Sequence, residues 1–340
     1  MSAQSNGTLL HGGVLVVAIA AAVGVWIHDK EAARGALAQG DVAVWSGRSG
    51  DVEKVGYESK TRKVELEARK DATGRYFVGT VVKESPAPPA IDGGAPPPNA
   101  PPAIPKTTLG FVSVSSGEKL AEALAPLKAL RSIGKVGDDR AAEFGLAEPE
   151  ATITVRVGGT DHKLVVGGVT PGGGDRYARV GESGEVYVVR GEPIRNLESA
   201  DSMLLERELH EWKDTDVTRA RVEAGGKGRD ITRGGAESKR FWSDAASADI
   251  NDETLGNWMS KLDRLRPSEY MAAGLDTKEP VLRIEYTGKK PLGFVEVVKV
   301  PGPGSEKPTY YLRTERTRLF GKVTATLAEQ LEQDLGTIVK

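Results

Sequence analysis

The sequence predicts an α+β protein: an N-terminal transmembrane helix followed by two tandem copies of a mainly antiparallel sheet domain, each with a packed amphipathic helix. Three observations lead to this prediction. The chain begins with an uncharged apolar segment, the rest alternates apolar and polar residues as half-buried strands do, and these strand patterns occur twice. A length of 340 residues accommodates two domains after the apolar segment.

Composition excludes several classes of function. The 46 Lys plus Arg residues are balanced by 48 Asp plus Glu, for a formal charge of -2, so no bulk positive charge attracts nucleic acid and we expect no nucleic-acid partner. The chain contains no cysteine, which excludes disulfides, thiolate nucleophiles, cysteine-based zinc sites and a lipidated cysteine anchor.

The apolar segment defines the first region, residues 1–30, as a transmembrane anchor with a short tail. Residues 9–27 carry no charged side chain and are long enough for a helix to cross the membrane. The alternative is a cleaved signal peptide, for which Ala20–Ala22 offer small residues at the cleavage site. A signal peptide usually has a basic start, and none is present here, which favours the anchor.

The orientation of the anchor is open on charge alone. Lys30 and Arg34 follow the apolar segment and no basic residue precedes it. Lys and Arg residues that flank a membrane helix are more frequent on its cytoplasmic side, so this count would place the bulk of the chain in the cytoplasm.

The first half of the repeat is an ungapped alignment of two segments. Val52–Phe77 aligns with Val217–Trp242 so that apolar positions coincide, and the Arg75–Phe77 trio falls on Arg240–Trp242. Alternation along both segments predicts strands with one buried face. We therefore expect the two copies to begin with the same strands.

The second half of the repeat contains a helix and further strands. Leu120–Arg131 aligns with Leu255–Arg266, and leucine spacings of three and four predict one apolar helix face along each segment. Gly145–Leu146 aligns with Gly274–Leu275. The strand positions aligned after these pairs are Ile153, Val155 and Val157 with Leu282, Ile284 and Tyr286.

These alignments set the domain boundaries. The first repeat domain covers residues 42–198 and the second covers residues 209–340. The first copy carries a proline-rich insert, residues 85–108, which the second copy lacks. Because proline has a fixed φ and no backbone donor, an extended solvated loop is expected there.

Several motifs together resemble the bacterial domain-of-unknown-function family 4340. They are the Gly145-Leu146 turn with Pro149, the segment Leu164–Val180, the strand Val186–Val189, and an N-terminal span before a tryptophan-bearing strand region. Members are often encoded near gliding-motility-type ABC transporter components. The resemblance implies a single-pass accessory protein of the bacterial cytoplasmic membrane, with most of its chain on the periplasmic side. It assigns no catalytic residues.

Motifs for enzymatic chemistry are weak in this sequence. The glycine-rich loop Gly167–Arg176 has neither the Lys-Ser/Thr pair nor the following helix of a phosphate-binding loop, so a turn between strands is expected. The four histidines have no metal-ligand spacing, and His162 is expected in a solvated hairpin turn. We predict no catalytic residue, no cofactor and no metal site.

One pair of residues that both copies share is a candidate for partner binding. Tyr177 and Arg179 of the first copy correspond to Tyr311 and Arg313 of the second. Aromatic residues and arginine are enriched at interfaces, but on strands they also pack in the core with arginine stems covering them. The junction between the copies, where these strands could meet, is the expected binding surface.

These observations predict a non-enzymatic, membrane-anchored accessory or binding subunit of a bacterial envelope complex. The expected partners are the membrane, through residues 9–27, and a protein, such as an ABC transporter membrane subunit. One alternative is an envelope hydrolase or carbohydrate-processing enzyme, which would need acids such as Asp138, Asp139 and Glu143 to converge across a cleft. The other is a structural spacer whose proline-rich arm extends through the envelope.

Overall fold

A computed structural model describes residues 41–84, 106–181, 183–236, 239–271, 274–275, 277–304 and 306–339. It shows an α+β fold with two antiparallel sheets, as predicted. The predicted anchor, residues 9–27, lies outside the described residues, as does nearly all of the insert. Among the residues that are described, no helix is long and apolar enough to cross a membrane.

The first sheet has ten strands, in the order β1-β6-β10-β9-β8-β7-β2-β3-β4-β5. The strands are β1 (Val42–Trp45), β2 (Val52–Ser59), β3 (Arg62–Lys70), β4 (Arg75–Lys83), β5 (Thr107–Ser113), β6 (Leu127–Lys135), β7 (Ala151–Val157), β8 (Thr160–Val169), β9 (Arg176–Val180) and β10 (Glu185–Val189). The helices of this part are α1 (Ser115–Leu124), α2 (Gly191–Glu198) and α3 (Ala200–Met203). We call these elements module one.

The second sheet has eight strands, in the order β13-β12-β11-β15-β16-β17-β18-β14. The strands are β11 (Arg219–Ala224), β12 (Lys227–Gly234), β13 (Phe241–Asp244), β14 (Glu269–Tyr270), β15 (Glu279–Thr287), β16 (Pro291–Val300), β17 (Thr309–Thr314) and β18 (Gly321–Lys322). The helices are α4 (Glu253–Leu262) and α5 (Ala325–Ile338). We call these elements module two.

The two sheets share strand order and register over eight strands. The series β6-β10-β9-β8-β7-β2-β3-β4 matches the series β14-β18-β17-β16-β15-β11-β12-β13. Val55 pairs with Leu66 in module one, and the aligned Ala220 pairs with Ile231 in module two. An arginine at the start of β4 donates to the carbonyl oxygen of Val52, and Arg240 donates in the same way to Val217. The arginines that the copies share therefore hold the same strand ends.

The amphipathic helices bury equivalent faces, but the alignment predicted for them is wrong by one turn. The buried residues are Gly117, Leu120, Ala121 and Leu124 in α1, and Leu255, Trp258, Met259 and Leu262 in α4. The helix bounds place Leu120 opposite Trp258, whereas the sequence alignment placed it opposite Leu255. An apolar stripe recurs every three to four residues, so a slip of one turn leaves its pattern nearly unchanged.

The helix predicted over Leu120–Arg131 is also too long. It ends at Leu124, and β6 begins at Leu127, with Leu127 and Ala129 buried on one face of the strand. Pro126 lacks a backbone donor and disfavours helical geometry at the residue before it, which ends the helix. The predicted apolar helix face therefore divides between a helix and a strand.

The predicted alignment of β7 with β15 is displaced by two residues, although it matches buried residues with buried residues. Ile153 pairs with Tyr57, and Ile284 pairs with Val222, which corresponds to Tyr57. Ile153 thus corresponds to Ile284 rather than to Leu282. Because side chains alternate along a strand, a slip of two residues preserves the buried pattern.

The edge strand β5 belongs to module one alone, which corrects the predicted end of the insert at residue 108. Thr107 pairs with Lys83 at the start of β5, so β4 and β5 form a hairpin whose ends are adjacent. Each of residues 107 and 108 already belongs to the sheet. The segment that the second copy lacks therefore includes a strand as well as the proline-rich residues.

The two modules meet along β5 and β14. A Cβ atom at Gly110 would lie 2.4 Å from the carbonyl oxygen of Tyr270, so the two edges are in close contact there. Tyr270 belongs to the core of module one, and its hydroxyl donates to the carbonyl oxygen of Glu206 at 2.7 Å. The Glu206 carboxylate lies 3.1 Å from the Arg316 guanidinium, which also donates to Ser115. A buried polar network thus joins the modules.

Replacing residues 85–105 with a short Gly/Ser turn is expected to change the melting temperature of the full chain by less than about 2 °C. The reason is that Lys83 and Thr107 are paired neighbours, and closing a shorter loop costs little entropy. Differential scanning calorimetry measures the effect. A matched variant that extends the turn between β2 and β3 by four residues controls for loop changes in general. A large loss of stability on the replacement alone would show that the removed segment packs on the domain.

Candidate functional site

The predicted partner-binding residues of module one lie in a small apolar cluster on one face of the sheet. Tyr177 contacts Phe144 edge to face, with 5.0 Å between ring centroids. The cluster includes Leu146 of the predicted Gly-Leu turn. Arg179 is half-buried on β9, paired across strands with Val165 and Val186. Tyr177 therefore packs within its own module.

Tyr311 of module two also packs in an apolar cluster. Tyr311 is buried with Val298 and Phe320. The Arg313 guanidinium lies 2.5 Å from the Glu296 carboxylate and 4.8 Å from the centroid of the Phe320 ring. No contact between the Tyr177–Arg179 pair and the Tyr311–Arg313 pair occurs among the described residues. Their role in binding a partner stays a prediction, and the junction itself is built from other residues.

Other sequence candidates are structural or exposed. The glycine-rich segment forms the end of β8 and a turn into β9, in which Thr170 donates to the carbonyl oxygen of Asp175. The acids Asp138, Asp139 and Glu143 lie together on one short exposed 3-10 helix, so they do not face one another across a cleft. Against expectation, His162 lies within β8, where it stacks on Trp45 with 4.9 Å between ring centroids.

A cavity in module two brings together polar residues that the sequence did not single out. Its volume is about 350 Å³. It opens where the linker from module one enters module two, beside the C-terminal end of α4. The lining residues are Glu208, Leu209, His210, Trp212, Asp214, Val217, Trp242, Met259, Asp263, Arg266 and Tyr286. We call it the His210 cavity.

His210 is held in one orientation at this cavity. Its Nδ1 lies 2.8 Å from Oε1 of Glu315, and the other carboxylate oxygen of Glu315 accepts from the Phe294 backbone at 2.9 Å. The imidazole stacks on Trp212 with 4.0 Å between ring centroids. Nε2 is buried and has no hydrogen-bonding partner within the described part of the chain. Glu315 therefore directs Nδ1, and Nε2 is the ring atom left to interact with a ligand.

Two further polar atoms at the cavity are buried without a partner among the described residues. They are the hydroxyl of Tyr286, a residue only 3% exposed, and Nε1 of Trp212. Burial raises the pKa of Tyr286 well above its ordinary value, and the negative charges of Asp263 and Glu315 raise it further. The hydroxyl is therefore protonated and can donate a hydrogen bond. Buried polar atoms normally have partners, so these atoms indicate a site for a bound molecule.

Charged residues of both signs form the rim of the cavity. Desolvation raises the pKa of the Asp263 carboxyl, and the electrostatic interactions of this carboxyl with His210, Arg233 and Arg266 oppose the rise. More than a third of the surface of Asp263 is open to solvent, so we expect a modest rise. Arg233 pairs with Asp214 and packs over the Trp242 ring, with its guanidinium carbon 4.1 Å from the ring centroid.

Module one has small or apolar residues at the positions that correspond to this polar group. Strand register and helix bounds set the correspondence. The corresponding pairs are Ala68 and Arg233, Ala125 and Asp263, Val155 and Tyr286, and Gly181 and Glu315. The polar group is thus a feature of one module and is not required by the shared fold.

The sequence carried one signal for this site. Within the ungapped block that aligns the copies, Arg233 stands opposite Ala68. A charged residue at a position that is apolar in the other copy marks a place where the copies differ in more than packing. The other members could not be found in this way, because Tyr286 and Asp263 fall where the sequence alignment slips. His210 lies in the linker between the aligned segments.

Replacing Asp263 with asparagine is expected to raise the melting temperature at pH 7 by about 1 to 2 °C. A carboxyl whose pKa is raised by folding favours the folded state while it is protonated, and this contribution is lost as the pH rises through that pKa. The gain of the variant should therefore vanish as the pH falls below the ordinary range of an aspartate. Melting curves at several pH values measure it. Asp230→Asn, which removes an exposed ion pair with Arg221, should give no gain. A loss of stability in Asp263→Asn at pH 7 would contradict the pKa direction.

The arrangement at the His210 cavity can bind and can transfer a proton. Nε2 of a neutral imidazole accepts a hydrogen bond. Within the described ranges, no group of three or more His, Asp or Glu side chains could hold a metal ion. The unpartnered buried atoms of His210, Trp212 and Tyr286 suit the cavity to a molecule that forms several hydrogen bonds with its walls.

Comparison with protein families gives a match. The family model described as Domain of unknown function (DUF4340) matches residues 115–283, from α1 to β15. The match therefore runs across the junction between the modules. None of the curated proteins compared with the chain matches it. Through the segment 115–283, which includes the predicted Gly145-Leu146 turn and most of the lining of the His210 cavity, the chain belongs to the DUF4340 family.

Proposed function

We propose that this protein is a non-enzymatic binding subunit of a bacterial envelope complex, formed by tandem duplication of one module. In this proposal residues 9–27 anchor it in the cytoplasmic membrane, the modules face the periplasm, and an ABC transporter membrane subunit is its partner. The uncharged N-terminal segment and the family resemblance support these points. Module two carries the recognition site and module one supports it.

The observation that carries the proposal is the difference between the two modules. They share eight strands in the same order, yet module two has Asp263 and Tyr286 in a cavity wall, with Glu315 bound to the lining residue His210 and Arg233 bound to the lining residue Asp214. Burying the Tyr286 hydroxyl, Nε1 of Trp212 and Nε2 of His210 without partners among the described residues costs stability, so the fold by itself gains nothing from these three atoms. Polar groups that the shared scaffold does not need are best explained by recognition of a ligand or partner.

The junction supports a division of roles between the modules. Glu206, Tyr270 and Arg316 connect them through buried hydrogen bonds, and the linker that leaves module one continues directly into the cavity wall at Glu208 and His210. The cavity is thus held against a rigid neighbour. A site supported by packed elements keeps its geometry more reliably than one on a free loop.

Co-purification tests whether the protein is a subunit. The full-length chain is purified from detergent-solubilised membranes, and the proteins that accompany it are identified by mass spectrometry. We expect a membrane protein of a transporter in constant ratio to the chain. Reporter fusions at the C-terminus test the orientation, and we expect activity only from a reporter that works outside the cytoplasm. A chain that purifies alone, or a C-terminus in the cytoplasm, would contradict the proposal.

An envelope hydrolase is the second candidate, because of one specific observation. The pairing of Glu315 with Nδ1 of His210 leaves Nε2 as a potential general base. The acids considered from sequence, Asp138, Asp139 and Glu143, are exposed on one helix and do not support it. Turnover of a panel of glycoside, ester and peptide substrates discriminates the candidates. Our proposal expects no turnover above a blank, whereas turnover abolished in His210→Gln would establish the enzyme.

A further inference from the structure

We propose that the His210 cavity binds a neutral polyhydroxyl ring of hexose size, such as one sugar unit of an envelope glycan. The inference rests on the proposed function, in which this cavity is the recognition site, and it names the chemical class of the ligand. Three properties of the cavity lead to it: the shape of its walls, the balance of charge at its rim, and the hydrogen-bonding character of its buried polar atoms.

The walls combine an aromatic floor with a polar rim. Trp242, Tyr286 and Met259 are buried and line the interior, whereas Glu208, Asp263 and Arg266 are exposed at the opening. A sugar ring has an apolar face of C–H groups and a periphery of hydroxyl groups, so the two surfaces are complementary. A volume of about 350 Å³ is at the small end of ligand cavities and suits a single ring.

The rim disfavours an anionic ligand. Glu208, Asp263 and Arg266 line the same cavity, so two carboxylates face one guanidinium there. An anionic ligand would be repelled by this excess of negative charge. Asp214 also lines the cavity, but it is paired with Arg233 and contributes little net charge. The rim charges therefore discriminate against anions, and the hydrogen-bonding character of the buried atoms distinguishes a neutral ligand from a cation.

The buried polar atoms require both donors and acceptors from a ligand. Nε1 of Trp212 can only donate, the hydroxyl of Tyr286 can donate and accept, and Nε2 of neutral His210 accepts. A hydroxyl group donates one hydrogen bond and accepts others, so adjacent hydroxyls can satisfy all three atoms. An ammonium group offers only donors and would leave Trp212 without a partner, while a carboxylate offers only acceptors and would leave neutral His210 without one.

Saturation-transfer NMR tests the inference on the full-length chain in a polyoxyethylene detergent, which carries neither charge nor sugar. The probes are D-glucose, D-galactose, D-mannose and N-acetyl-D-glucosamine, with methylammonium and acetate as cationic and anionic probes at the same concentrations. We expect transfer to the ring protons of at least one sugar and none to methylammonium or acetate. Tyr286→Phe and His210→Gln should each weaken the binding of that sugar by at least about fivefold.

Tyr57→Phe is the matched control, because Tyr57 is buried in module one and lies outside the cavity. It should leave sugar binding unchanged, and melting curves establish that all variants fold. Absence of transfer to all four sugars, equal transfer in the cavity variants, or preferential binding of methylammonium or acetate would overturn the inference. If a partner co-purifies but no sugar binds, this inference fails alone. If a sugar binds but the chain purifies without a partner, the subunit proposal fails instead.

Discussion

Replacing Arg316 with methionine is expected to lower the free energy of unfolding by about 3 kcal/mol or more. The Arg316 and Glu206 side chains are only 13% and 7% exposed, and the variant leaves the Glu206 carboxylate buried without its charged partner. It also removes the hydrogen bond to Ser115 across the modules. Equilibrium unfolding in urea, followed by circular dichroism, measures the loss.

Two further variants decide whether the effect comes from the buried charge. Arg48→Met removes an exposed ion pair with Asp51 and should change stability by less than about 1 kcal/mol. The double variant Arg316→Met with Glu206→Met should recover most of the loss, since it leaves no unpaired charge in the junction. A small effect of Arg316→Met alone would show that Glu206 is solvated in solution and that the modules are not held by this pair.

Replacing Trp258 with alanine is expected to cost about 3 to 5 kcal/mol, the largest single effect in module two. Trp258 is 2% exposed between α4 and α5, and its indole Nε1 donates to the carbonyl oxygen of Leu331 at 3.1 Å. The change would open a large cavity and remove the contact that fixes α5 on α4. Equilibrium unfolding in urea, followed by circular dichroism, measures the loss.

Trp258→Phe separates the contribution of ring packing from that of the indole hydrogen bond. It keeps most of the ring volume and removes only the hydrogen bond, so about 1 to 2 kcal/mol should be lost. Hydrogen exchange should become faster throughout α4 and α5 in the alanine variant, while β2 and β3 of module one keep their protection. Uniform acceleration in both modules would show that they unfold as one unit and that Trp258 supports the entire chain.

The fold class could be predicted because apolar and polar residues alternate along the strands, and this alternation is visible in the sequence. Val55 and Tyr57 alternate with exposed or half-buried residues on β2, and the aligned Ala220 and Val222 do so on β11 in the second sheet. The glycine-rich turn and the packing of the shared tyrosines also follow from local chemistry. These features depend on residues that are near one another in sequence.

The sequence left the alignment of the two copies undetermined wherever a displaced alignment keeps the same pattern of buried residues. Leu120 could be aligned with Leu255 or with Trp258 because both lie on the buried face of a helix. Ile153 could be aligned with Leu282 or Ile284 because both point to one face of a strand. Strand β5 could not be predicted, since its pairing with β4 spans the insert and brings Thr107 to Lys83. Such choices are made by tertiary contacts.

The His210 cavity was beyond sequence reasoning for a related reason. His210, Asp263, Tyr286 and Glu315 are widely separated along the chain and share no motif. Only the strand register brings Tyr286 beside the linker, and only the loop after β17 brings Glu315 to His210. The comparison of the modules became informative once the structure had corrected their alignment.

The central claim is that the His210 cavity is the recognition site of this protein, and sugar binding by cavity variants tests it most directly. The unaltered full-length chain, Tyr286→Phe, His210→Gln and the module-one control Tyr57→Phe are purified in parallel from solubilised membranes, and the Kd of the sugar that binds the unaltered chain is measured for each by saturation-transfer NMR. We predict an equal Kd for the unaltered chain and Tyr57→Phe, and a Kd raised by at least about fivefold for both cavity variants. An unchanged Kd in folded cavity variants would contradict the claim.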